Sequence, residues 1–75
     1  MKLTKEILES TLKDYNINVT EVLYTPAGIT AILYKYTAVS ISSRLILSLL
    51  KYENINDVEI LGGITPTVII KCYTK

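Results

Sequence analysis

Residues 12–23 read LKDYNINVTEVL and residues 50–61 read LKYENINDVEIL, seven identities in twelve positions at a constant offset of 38. Ordinary composition would give about one. The offset carries back into the preceding segments, where LTKEIL (3–8) lies over ISSRLI (41–46) and Ser10 over Ser48. A chain of 75 residues built this way is expected to be a single domain, 1–75, that uses one structural unit twice. Repeat one spans about 3–37 and repeat two about 41–74.

Each unit opens with a helix signal. Thr4 and Ser42 fall at matching N-cap positions, where a side-chain oxygen accepts from a free amide of the first turn. Leu3 with Leu8, and Ile41 with Ile46, take the places of a hydrophobic staple. Ile7, Leu8 and Leu12 then match Leu45, Ile46 and Leu50 as an apolar helical stripe. This places helices over about 4–15 and 42–53.

Two runs rich in β-branched and aromatic residues follow each helix, as strands require. They are INVTEVLY and ITAILYKYT in the first unit, NDVEIL and TVIIKCYT in the second. TPAG joins the first pair, with Pro26 presetting a turn and Gly28 supplying a positive φ. A loop holding Gly62, Gly63 and Pro66 joins the second. Matching Tyr36-Thr37 to Tyr73-Thr74 makes that loop one residue shorter than the first. The chain therefore reads as αββ-αββ, an α+β fold with a four-stranded antiparallel sheet and two helices on one face. Its order is a circular permutation of the ferredoxin-like βαββαβ arrangement, with TAILYKYT and TVIIKCYT as central strands.

Alternation sets the faces, because side chains on a strand point to opposite sides in turn. In the second hairpin Val58 and Ile60 belong to the helix side. Pairing Ile60 with Val68 and Val58 with Ile70 sets Asp57 opposite Lys71, a favourable cross-strand pair. The first hairpin follows with Val22 on Ala31, Thr20 on Leu33 and Tyr24 on Ile29. The expected core is Ile7, Leu8, Leu12, Val22, Ala31, Leu33, Leu45, Ile46, Leu49, Leu50, Val58, Ile60, Val68, Ile70 and Cys72. The opposite face carries Val19, Glu21, Leu23, Ile32, Tyr34 and Tyr36 from one unit. From the other it carries Asp57, Glu59, Leu61, Ile69, Lys71 and Tyr73.

That second face is the candidate site, specifically Ile32, Tyr34, Tyr36, Ile69, Lys71 and Tyr73. The chain is 49% hydrophobic and 20% charged, with mean hydropathy +0.34. So small a domain buries only about 60–65% of its unfolded surface, leaving an apolar surplus that points to self-association or a binding face. The expected partners are a second copy, as a homodimer, and a protein partner, since tyrosines anchor interfaces well. Inhibitors and regulators of viruses and mobile elements are often small proteins of this kind. The competing expectation is single-stranded RNA or DNA stacked on the tyrosines. Against it, Glu21, Asp57 and Glu59 repel phosphates, and only Lys71 and Lys35 offset them.

Chemistry is largely excluded. The chain has no histidine and one cysteine, which removes Cys–His and Ser–His pairs and any zinc ligand set. Cys72 alternates with Val68 and Ile70, as a small buried hydrophobe does. Glu21 and Glu59 fall on the two edge strands, roughly 14 Å apart by three strand spacings, against the about 5–10 Å of glycosidase carboxyls. Charges there discourage edge-to-edge aggregation instead. LGGITP precedes a strand and opens no helix, so it makes a turn and not a phosphate loop. The expectation is a non-enzymatic interaction module with no cofactor and no metal. The lone cysteine fits a reducing interior, and neither a signal peptide nor a membrane span is evident, so the cytoplasm is the expected location.

Overall fold

Both helices start where the matched caps put them. In the computed structural model, which describes residues 1–34, 41–62 and 67–75, α1 runs Lys5–Asp14 and α2 runs Ser43–Leu50. Thr4 Oγ1 accepts from the Ile7 amide at 3.3 Å and Ser42 Oγ from the Arg44 amide at 3.1 Å. The end of α1 is closed by Asn16, which takes φ 60° while the Ile17 amide reaches back to the Leu12 carbonyl at 2.9 Å. Asparagine tolerates that left-handed conformation, and the closure satisfies a free helix-end carbonyl.

The strands are β1 (Glu21–Thr25), β2 (Gly28–Tyr34), β3 (Ile55–Gly62) and β4 (Thr67–Thr74). They form one antiparallel sheet in the order β1-β2-β4-β3, so β2 and β4 are central, as expected. Leu8 and Leu12 of α1 and Leu45 and Leu49 of α2 are buried in one cluster with Ile29, Ala31, Leu33, Val68, Ile70 and Cys72. Those six alternate along β2 and β4, so a single face of the sheet meets both helices.

The core differs from expectation at its margins. Leu3, Ile17, Ile29 and Ile55 are buried as well; Leu3 and Ile17 flank the regular elements, and Ile55 opens β3 ahead of the irregularity before Asp57, so simple alternation does not place it. Leu50 is exposed, because the stripe Leu45–Leu49 at i, i+4 already faces the sheet and the next residue turns away from it. Ile7, Ile46, Val22, Val58 and Ile60 are half-buried. Val19 packs on the core and not on the opposite face, since it precedes β1, where strand alternation has not begun.

Register is correct in the first hairpin and displaced in the second. Val22 pairs with Ala31 and Tyr24 with Ile29, whereas Ile60 pairs with Ile70 and Val58 with Cys72. Glu59, not Asp57, therefore lies opposite Lys71, and Asp57 lies opposite Tyr73. Gly62 still pairs with Val68, so the second connection is longer than the first, contrary to the alignment of the two Tyr-Thr dipeptides. An irregularity between Ile55 and Asp57 adds a further step. The displacement is two residues, an even number, so every side chain keeps its face.

The first hairpin turns through Pro26 and Ala27. Gly28 has φ 152°, and a Cβ on it would sit 2.0 Å from the Cys72 carbonyl oxygen. Glycine is required there by conformation and by space. Thr25 Oγ1 accepts from the Gly28 amide and donates to its carbonyl, both at 3.2 Å. The Ala27 carbonyl accepts from the Thr74 amide at 3.0 Å, tying the turn to the end of β4.

Candidate interaction face

The sheet face away from the helices is laid out in rows by the ladders. Thr25, Gly28, Tyr73 and Asp57 form the row nearest the first turn. Leu23, Thr30, Lys71 and Glu59 come next, then Glu21, Ile32, Ile69 and Leu61. Tyr34 beside Thr67 lies furthest from that turn. Of the six expected site residues, Ile32, Tyr34, Ile69, Lys71 and Tyr73 thus share one face of the two central strands. Tyr36 lies outside the described residues, as does Lys35.

Ile32 and Ile69 are direct partners across β2 and β4 and are half-buried by their neighbours. Tyr34 is 56% exposed and Leu61 38%. Together they make a continuous apolar band on a face that no described element covers. Leu61, which alternation placed on this face but outside the six candidate residues, belongs to this band as much as they do.

The charges arrange themselves differently from the expected Asp57–Lys71 pair. Tyr73 donates its hydroxyl hydrogen bond to Glu59 Oε1 at 2.6 Å. That bond, then desolvation and the charges of Glu59 and Asp57, push the phenol above its usual range. Asp57 Oδ1 accepts from the Val58 amide at 2.9 Å. The ion pair found among the described residues joins the Met1 amino group to Glu53, and Lys71 has none.

A cavity of about 270 Å³ opens at the turn end of this face, lined by residues that include Pro26, Gly28, Thr30, Lys71 and Tyr73. Sequence reading treated TPAG as a turn alone and missed it. The signal available was the even-position threonine in ITAILY, a polar residue on an otherwise apolar central strand.

Glu21 and Glu59 lie on the opposite edge strands. No group of three or more His, Cys, Asp or Glu side chains among the described residues is arranged to hold a metal ion. Burial pushes the Cys72 thiol up to about 12, which leaves it protonated and unreactive near neutrality. Among the described residues no helix is long and apolar enough to cross a membrane. No protein-family model, curated protein or solved structure matches the chain.

Proposed function

We propose that the protein is a non-catalytic interaction module that works as a homodimer, two copies meeting through their open sheet faces, and that the dimer binds a protein partner as an inhibitor or regulator. The observation that carries this reading is the uncovered band of Ile32, Ile69, Leu61 and Tyr34. Two such faces stacked about 10 Å apart would bury the band on both copies. Tyrosine and isoleucine are well suited to the desolvated centre of such an interface. A cytoplasmic regulator, of the kind viruses and mobile elements encode, fits a small chain with one buried cysteine.

We propose further that the chain is an internal duplication in a circularly permuted ferredoxin-like order. The order β1-β2-β4-β3 and the equivalent caps at Thr4 and Ser42 support it.

Light scattering behind a sizing column, over a dilution series, tests the dimer. A mass of two chains that falls to one in Ile32→Asp and Ile69→Asp supports it; a monomer at every concentration overturns it. Tyr34 and Tyr73 on central strands favour a second reading, stacking of single-stranded nucleic acid. The three acids Glu21, Asp57 and Glu59 around one lysine weigh against that. Steeply salt-dependent oligonucleotide binding by the monomer would reverse the preference.

A further inference from the structure

We infer that the cavity beside Gly28 is a binding site for a small monocarboxylate, held by Lys71 and Thr30. Thr30 is the one buried polar residue among those described, 8% exposed, and its hydroxyl makes no hydrogen bond with any described residue. No wholly buried side-chain oxygen or nitrogen among the described residues lacks a partner. Thr30 Oγ1 therefore keeps contact with solvent, through the cavity that it lines. An almost buried hydroxyl with a free donor is a recognition element waiting for an acceptor.

Lys71 supplies the charge. It is the direct partner of Thr30 across β2 and β4 and the one charged residue in the cavity wall. Glu59, its partner on the other side, accepts from the Tyr73 hydroxyl, and the Lys71 ammonium makes no ion pair among the described residues. A carboxylate can accept from the Lys71 ammonium with one oxygen and from the Thr30 hydroxyl with the other. Pro26, Ala27 and Tyr73 then wall a short apolar body lying over Gly28.

Charge and size narrow the class. One cation with Glu59 beside it can offset a monoanion at most, whereas a phosphate dianion would be repelled more strongly by Glu59 and by Asp57 beside Tyr73. About 270 Å³ falls just under the roughly 300–1,000 Å³ of drug-sized sites, so the ligand is a small acid. The cavity sits at the opposite end of the face from Tyr34, and the inference does not rest on self-association.

The test is an amide-resolved NMR titration of the full chain with butyrate, 1-butanol, inorganic phosphate and a capped tripeptide carrying one glutamate. Saturable shifts at Gly28, Thr30, Lys71 and Tyr73 with butyrate support a free acid. Such shifts with the tripeptide alone support an acidic side chain of a partner; both outcomes support carboxylate recognition here. Lys71→Gln and Thr30→Val, with spectra still dispersed as in the folded parent, should each weaken binding roughly tenfold. No saturable shift with butyrate or tripeptide, an equal response to 1-butanol, tighter binding of phosphate, or affinity unchanged in both variants would overturn the site.

Discussion

The Tyr73 hydroxyl meets Glu59 Oε1 at 2.6 Å although the two residues are diagonal and not opposite in the ladder. The contact crosses between successive rows, from Tyr73 beside Asp57 to Glu59 beside Lys71. It turns one carboxylate oxygen of Glu59 towards Tyr73, while Lys71, opposite Glu59 in the ladder, makes no ion pair among the described residues.

A raised phenol pKa means that the folded state holds its proton more tightly than the unfolded chain does. The contact therefore stabilises the fold fully below the ordinary tyrosine value of about 10 and ceases to do so as pH climbs through the raised value. Tyr73→Phe should abolish one late-ionising phenol in an ultraviolet pH titration and flatten this alkaline slope of stability. Loss of a phenol that ionises with the ordinary ones, the late step remaining, would mean that the contact is not populated in solution.

Gly28→Ala should be among the most damaging single changes on the sheet. A Cβ would be driven into the Cys72 carbonyl at 2.0 Å, in a backbone region that side chains rarely occupy. A loss of at least about 2 kcal/mol is expected, read from the urea midpoint. A neutral result would show that the hairpin can shift away from β4.

Leucines on the two sides of α2 should separate cleanly. Leu49 is fully buried and Leu47 is 58% exposed. Leu49→Ala should destabilise by about 2–5 kcal/mol, and Leu47→Ala should stay within about 0.5 kcal/mol. Equal effects would mean that α2 is rotated about its axis.

Cys72 makes an independent check on the core. Burial lifts its thiol from 9.0 to about 12, so its contribution to stability is complete below about pH 9 and is lost as pH rises towards 12. A thiol reagent at mildly alkaline pH should label the native protein only as fast as the protein opens. Labelling that is immediate without denaturant would place the thiol at the surface.

What could be read from the residues, and what could not, divides along a physical line. Caps and turns are local chemistry, so Thr4, Ser42, Pro26 and Gly28 announced their roles. Faces follow from alternation, and they survived even where partners were misassigned in the second hairpin. The pairing of Val58 with Cys72 was not legible, because it depends on the length of a glycine-containing connection, and two glycines allow several lengths. The burial of Leu3, Ile17 and Ile55 was missed for a related reason: they sit outside the periodic stretches and are placed by tertiary contacts alone. Of the candidate face, the apolar band was readable as a surplus of large side chains. The cavity was not, since its walls come from the first turn, β2 and β4 together, which only the fold brings side by side.

One further feature ties the molecule together at an unexpected point. Asn54 accepts from the Leu3 amide at 2.7 Å and donates to the Leu3 carbonyl at 3.1 Å through its side chain, while its own carbonyl accepts from the Lys75 amide at 3.0 Å. Residues 3 and 75 are thus moored to the same asparagine. Segments this far apart in sequence ordinarily open one at a time, each without consequence for the other. Here, loosening either contact loosens the post that holds the other, so the Leu3 and Lys75 amides should exchange their hydrogens in step; Asn54→Ala should release Leu3 outright and reach Lys75 only by loosening the backbone carbonyl that holds it.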